Sequence, residues 1–229
     1  MDIVCSTDNN YVQHCCCMLV SFLENNKEDR HSIHVLSEEL KPEYLKQIKD
    51  VVDSYKGQFF YYAVNPDCLK FCPVKATDHL SIATYYRLLI ANLLPQNLKR
   101  VLYLDCDIVI DGSLKELWDT PLTGYALAAV EELGSSAQDV YERLGYDAKY
   151  GYFNAGVLLV NLEYWRKKDL TEIFFQYMAS HSDKLRAHDQ DVLNALLHDK
   201  CLHISQKWNV EEAFYHYYII KKWRKRDKN

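Results

Sequence analysis

The sequence predicts an α/β fold in which a mostly parallel central sheet is covered by helices. Three observations carry this. Short apolar runs alternate with helix-spaced segments through the first half of the 229 residues. The runs are nearly continuous rather than alternating, as expected of strands buried on both faces. Polar and acidic residues follow the first and fourth runs, where open α/β sheets bind ligands.

Taken in order, "MDIVCSTD" is a short strand closing on polar residues, and "NNYVQHCCCMLVSFLENN" has helical spacing ended by Asn25 and Asn26. "HSIHVLSEEL" is a second strand. "KPEYLKQIKDVVDSYK" is an amphipathic helix with Pro42 near its start, a position that tolerates proline. "QFFYYAVN" is a third strand, "SIATYYRLLIANLLP" a helix stopped by Pro95, and "RVLYLDCDIVI" a fourth strand. This β-α-β-α-β-α-β rhythm favours parallel pairing. Further on, "SLKELWDT" suggests a short helix, "YALAAVEE" a strand, residues 153–161 a strand leading into a helix, and "HDQDVLNALLHDK" a helix opened by acids. No repeat, low-complexity stretch or linker interrupts the chain. We read one domain over 1–229, with a nucleotide-side first half at 1–112 and a second half at 113–229 that closes the cleft.

Hydrophobic residues make up 48% of the chain, enough for a sizeable core. Six of the 27 bases and one of the 32 acids fall in the final KKWRKRDKN, which leaves 21 bases against 31 acids on the rest. A body that acidic argues against nucleic-acid binding. The basic tail reads as a solvated end, or as a peripheral contact with the anionic inner face of a membrane. The eight cysteines include consecutive Cys15, Cys16 and Cys17 on the first helix, where Cys serves as a small hydrophobe. Cys68 and Cys72 stand alone, so no zinc-type pair of CxxC units is present. The opening residues read as a strand rather than a leader, and no run reaches membrane-span length. These features together predict a reducing, cytoplasmic setting.

Asp8 follows the first strand, and Asp105 and Asp107 close the fourth. Residues two apart on a strand share a face, so the latter pair could meet one object. Two carboxylates at one place call for a cation between them, and hard oxygen ligands suit Mn²⁺ or Mg²⁺. Neither a GxxxxGK[ST] loop nor a GxGxxG turn is present, so a phosphate would be held mainly through the metal. A bare DxD is also common at ordinary strand exits, and context has to decide.

The context is a resemblance. "MDIVCSTDNNYVQH", "HLSIATYYRLLI", "RVLYLDCDIVIDGSLKELWD", "YFNAGVLLVNLEYWRKKDL" and "HDQDVLNALL" follow one another as the blocks of glycosyltransferase family 8 do, over about residues 1–210. This family contains glycogenin and the bacterial lipopolysaccharide galactosyl- and glucosyltransferases. The resemblance implies a GT-A type nucleotide-sugar-binding fold and a retaining hexosyltransferase. It implies a UDP-glucose or UDP-galactose donor, a saccharide or glycolipid acceptor of a cell-envelope glycan such as lipopolysaccharide, and Mn²⁺ or Mg²⁺ as cofactor.

The same resemblance implies roles. Asp8 and Asn10 match residues that hold uracil and ribose, and Tyr11 matches the ring beside the base. Arg87 matches the arginine next to the donor sugar and the first DxD acid. Asp105 and Asp107 match the metal-binding pair, with Asp105 also near the ribose. Asn154 and Ala155 match a sugar-contacting turn, and Glu131 an additional sugar-facing acid. Asp189 and Gln190 match the pair lining the donor sugar, with Gln190 nearest the reacting carbon. Each also has a plain structural reading: Asp8 and Asn10 as turn formers, Arg87 as an ion-pair partner, Asn154 as a buried turn residue and Asp189 as a helix cap. His14, His79 and His188 read as structural or surface residues, and Trp118, Trp165 and "FYHYY" at 214–218 as packing. The family's late HxxGxxKPW-like segment, which carries a third metal ligand and a diphosphate-holding lysine, does not occur in the sequence. Neither His203 nor His216 lies in such a motif. The two aspartates alone imply weaker metal binding.

An amide is a poor nucleophile, so same-face attack is the expected route to retention, with Asp189 stabilising the cationic sugar. Two other readings remain at this point. One is a nucleotide-sugar-binding protein with little turnover. The other is a DxD phosphohydrolase of the haloacid dehalogenase type, against which Ile108 and Val109 stand where that type carries a small Gly-Thr pair.

Overall fold

The computed structural model describes residues 1–69, 72, 82–133 and 137–213. His79, the opening of the "HLSIATYYRLLI" block, "FYHYY", His216 and the basic tail lie outside these residues.

Among the described residues seven strands form one sheet: β1 (Asp2–Ser6), β2 (Ser32–Ser37), β3 (Gln58–Ala63), β4 (Arg100–Leu104), β5 (Leu127–Glu131), β6 (Phe153–Asn161) and β7 (Cys201–Ile204). Their order is β3-β2-β1-β4-β6-β5-β7. The first four strands pair in parallel, as their rhythm predicts. β6 runs antiparallel to both β4 and β5, and β5 pairs in parallel with β7. The chain builds outward from β1 to β3, then returns to place β4 on the other side of β1. That reversal opens a crevice at the carboxyl ends of β1 and β4.

Both faces of the sheet are covered. Val4, Leu36, Val101, Tyr103 and Leu158 pack with Tyr85, Trp165, Phe174 and Val192 in one core. Ile3, Cys5, Ile33, Val35, Leu102 and Leu159 pack with Cys15, Met18, Phe22 and Ile48 in the other. Helix α1 (Val12–Asn25) buries Val12, Cys15, Cys16, Leu19, Phe22 and Leu23 at helical spacing. α2 (Pro42–Ser54) starts at its proline and buries Ile48 and Val52. Trp165 is fully buried and donates its indole N–H to the Ala126 carbonyl at 3.0 Å, a packing role as expected.

Two expectations change at the site. The segment expected as one helix before Pro95 is a 3₁₀ helix over Ile82–Leu89, followed by a single α-turn, α3 (Ile90–Leu93). A 3₁₀ turn eclipses residues three apart, which sets Thr84 beside Arg87. β4 ends at Leu104, earlier than the apolar run suggests. Asp105 still donates its backbone N–H to the Gly156 carbonyl at 2.8 Å, but Cys106 and Asp107 lie in a turn. The two aspartates are thus brought together by a turn, not by strand alternation.

The second half has the expected α4 (Lys115–Trp118) and two helices the sequence reading did not assign, α5 (Ala137–Leu144) and α7 (Leu170–Ser180). Between them lies α6 (Leu162–Lys167), and α8 (His188–Leu197) follows. Asp189 does not cap α8, and the side chain that ties down the start of the helix is Asp191. The Asp191 carboxylate is fully buried and accepts from the Arg186 and Ala187 backbone amides at 2.7 and 2.8 Å. It also accepts from Arg143 at 2.7 and 3.2 Å and from the Tyr152 hydroxyl at 2.9 Å. Burial alone would raise its pKa, but Arg143 and the two amides outweigh this and lower it. A carboxylate depressed in the folded state stabilises the protein above the unfolded pKa of about 4 and loses that contribution as pH falls further. Urea unfolding of Asp191→Asn is expected to show a loss of about 2 kcal/mol or more at neutral pH. The loss should shrink toward pH 3, and a loss independent of pH would contradict the assignment.

Candidate active site

The crevice at the β1 and β4 ends is a cleft of about 570 Å³ including its open mouth, lined by Thr7, Asp8, Tyr11, Thr84, Arg87, Tyr103 and the Asp105–Asp107 turn. On the β1 side, Asp8 Oδ1 accepts from the backbone N–H of Asn10 at 2.7 Å and of Tyr11 at 3.1 Å. This folds the loop and steers the chain into α1. Asn10 is exposed, and Tyr11 is 42% exposed with its ring against His14. Asp8 and Tyr11 line the cleft.

Arg87 is the hub on the opposite wall. It is only 5% exposed. Its Nε donates to the Thr84 carbonyl at 3.0 Å and lies 2.8 Å from Asp189 Oδ2. One terminal nitrogen donates to the Ala155 carbonyl. The other donates to Asp105 Oδ1 at 2.9 Å and to Thr84 Oγ1 at 3.3 Å. The guanidinium stacks over Tyr103 at 4.5 Å, and the Tyr103 hydroxyl donates to Asp105 Oδ1 at 3.0 Å. Burial opposes the Arg87 charge, but Asp105 and Asp189 outweigh it and raise its pKa. Burial pushes Asp105 up to about 6 despite Arg87. It raises Asp189 in the same way. Asp189 Oδ1 accepts from the Thr84 hydroxyl, while Oδ2 is buried without an aligned hydrogen bond. One cation therefore serves two carboxylates, Asp189 buried and Asp105 partly exposed. Asp107 adds a third nearby; it is exposed and accepts no hydrogen bond among the described residues.

Behind Arg87 and Asp105 lie the start of β6 and the start of α8. Asn154 Oδ1 accepts from Gly156 N at 2.7 Å and Asn209 Nδ2 at 2.8 Å. Ala155 N donates to Gln190 Oε1 at 2.9 Å, and Gln190 Nε2 donates to Glu132. Gln190 is thus held at both ends of its amide. A Cβ at Gly156 would lie 3.0 Å from both Asn154 Oδ1 and Asp105 Oδ2, so a glycine lets these two polar groups crowd the turn.

Of the expected site residues, Arg87, Asp105, Ala155, Asp189 and Gln190 form one bonded network, Asn154 adjoins it, and Asp8, Tyr11 and Asp107 share the cleft. Asn10 stays on the loop surface. Glu131 is not brought to the network: it is exposed beside Gly151, and Glu132 takes the inward position against Gln190. The reason is an irregular register between β5 and β6 at Ala129 and Glu131. Thr84, Tyr103 and Glu132 were not anticipated from sequence. Tyr103 was findable, because it lies two residues before Asp105. Thr84 was findable only if the turn were known to be 3₁₀.

The profile of the family described as glycosyl transferase family 8 matches residues 2–229. The chain belongs to glycosyltransferase family 8. It is 30% identical over 215 residues to general stress protein A of Bacillus subtilis, covering 92% of this chain and 74% of that protein. It is 33% identical over 205 residues to a lipopolysaccharide 1,2-glucosyltransferase of Escherichia coli, covering 88% and 60%. With the lipopolysaccharide 1,3-galactosyltransferase of Salmonella typhimurium it shares 28% identity over 215 residues, covering 92% and 63%. The chain thus spans about three-fifths of the length of these lipopolysaccharide enzymes. Among solved structures, galactosyltransferase LgtC in complex with donor and acceptor sugar analogs superposes with a TM-score of 0.85 at 29% identity, over 90% of this chain and 74% of that one. The fold of this family 8 member is accordingly GT-A, with its mixed sheet and flanking helices. No helix among the described residues is long and apolar enough to cross a membrane.

Proposed function

We propose that this family 8 member transfers a hexose from UDP-glucose or UDP-galactose to a saccharide hydroxyl of a bacterial cell-envelope glycan, with retention at the anomeric carbon. The observation that carries this is the bonded network joining Arg87, Asp105, Asp189 and Gln190 at the switch-point cleft. The likeness to lipopolysaccharide glucosyl- and galactosyltransferases supports the donor and acceptor classes. The free thiols of all eight cysteines support a cytoplasmic setting.

The donor set fits a hard divalent cation. Asp105 and Asp107 offer carboxylate oxygens at the cleft, and Arg87 alone leaves the carboxylates gathered there short of positive charge. Asp105 and Asp107 would hold Mn²⁺ or Mg²⁺, which when bound supplies charge neutralisation for a departing diphosphate.

The chain's own residues do the rest. Asp8 and Tyr11 frame the nucleobase end of the cleft. Arg87 fixes Asp105 through a charge-assisted bond and favours the ionised form of both Asp105 and Asp189. Asp189 Oδ2 lies 2.8 Å from Arg87 Nε, so this carboxylate is fixed in place behind the arginine. A fixed carboxylate there also favours positive charge developing on the sugar ring. Gln190, clamped by Ala155 and Glu132, presents a rigid amide rather than a nucleophile. Same-face attack by the acceptor, with the leaving phosphate taking its proton, follows from that chemistry.

The test is a UDP-release screen across donors with Mn²⁺ and Mg²⁺, followed by NMR of the product's anomeric centre. Retention with one preferred UDP-hexose is expected. An inverted product contradicts the route, and UDP binding without release contradicts turnover. Gln190→Ala is expected to slow transfer about 10²-fold with UDP affinity unchanged, since a small misplacement near the reacting carbon costs that much. Equal rates would remove Gln190 from the site.

A further inference from the structure

Directly beneath the Asp105–Asp107 turn, three thiols converge from three elements. Cys5 comes from β1, Cys15 from α1 and Cys106 from between the two aspartates. The Cys5 and Cys15 sulfurs are 3.8 Å apart, and all three Sγ atoms lie within 4.8 Å of one another. Cys5 and Cys15 are fully buried. Cys106 is 6% exposed, lines the cleft, and points its thiol at the Ser6 carbonyl, 3.0 Å away.

A disulfide would engage two of these sulfurs at about 2.05 Å and leave the third idle. A cation engages all three. Metal–thiolate bonds of about 2.3 Å set sulfurs roughly 3.8 Å apart, which is the spacing already present between Cys5 and Cys15. Thiolates select soft d¹⁰ ions, whereas carboxylates select Mn²⁺ and Mg²⁺. The buried sulfurs and the carboxylates at the cleft thus offer two chemically distinct sites on one turn.

We infer that Cys5, Cys15 and Cys106 form a binding site for a single thiophilic d¹⁰ cation of the Zn²⁺, Cd²⁺ or Cu⁺ class, entered from the cleft past Cys106. On binding, each thiol releases its proton to solvent and forms one metal–sulfur bond, and the ion keeps its oxidation state. The site is independent of the family activity, because neither aspartate takes part in it.

The probe is Cd²⁺ alone, titrated into the reduced, metal-free full chain and read by ultraviolet thiolate-to-cadmium charge transfer. One equivalent is expected, undiminished by excess Mn²⁺ and unchanged in Asp107→Asn or in Cys68→Ala, which removes an exposed thiol. Cys5→Ala and Cys15→Ala are each expected to weaken binding at least tenfold. Absence of the band, or a band unaffected in both variants, overturns the site. Because those positions are in the core, a second measurement uses unaltered protein. Crystals soaked in Cd²⁺ should give an anomalous peak among the three sulfurs, and peaks confined to exposed Cys17 or Cys68 overturn it equally.

Discussion

Asp107→Asn is expected to lower the proposed hexosyl transfer by at least about 10³-fold while leaving the fold intact. A metal ion contributes several kcal/mol of transition-state charge stabilisation, and each 1.36 kcal/mol is about tenfold in rate. Asp107 is exposed and makes no hydrogen bond among the described residues, so the amide would remove the proposed metal ligand and little else. The melting temperature is expected to stay within about 2 °C of the parent, as for other surface changes. Steady-state transfer against Mn²⁺ concentration checks this. Saturating Mn²⁺ should restore little activity, and a variant with parental rate would remove Asp107 from the reaction.

Arg87→Met carries the second large effect, and it falls on stability. The methionine fills the buried volume but leaves the Asp105 and Asp189 carboxylates facing each other without their shared cation. Breaking a buried ion pair from one side costs about 3–5 kcal/mol, because the remaining charge is stranded. For a chain of this size that is a fall in Tm of roughly 10 °C. Neutralising one stranded carboxylate should recover part of the loss, so Arg87→Met with Asp189→Asn is expected to be more stable than Arg87→Met alone. Additive losses in urea unfolding would mean that Arg87 and Asp189 act separately.

Much of this arrangement was legible in the sequence, for physical reasons. Strands covered on both faces are apolar throughout, so "DIVCS", "SIHVLS" and "RVLYL" stand out without alternation. α1 and α2 show one buried face each and were readable by period. The 3₁₀ helix was not, because "IATYYRLL" is buried almost all round and carries no period to interpret. β7 is four residues long, too short to show a pattern. At the site, resemblance placed Arg87, Asp105, Asp189 and Gln190, and the structure joins them. Its Glu131 stays outside the network because a local irregularity of the β5–β6 register turns Glu132 toward Gln190 instead, and nothing in the sequence marks that irregularity. The thiol cluster was illegible for the same reason. Cys15 to Cys17 read as helix hydrophobes, and only the pairing of β1 with β4 brings Cys5 and Cys106 together.

The most direct test is a crystal of the full chain grown with UDP and Mn²⁺, with manganese located by its anomalous signal. One manganese peak bonded to both Asp105 and Asp107, with the UDP diphosphate on it and the uracil beside Tyr11, is the predicted result. Manganese or UDP bound away from that turn, with the cleft beside Arg87 empty, would contradict the account.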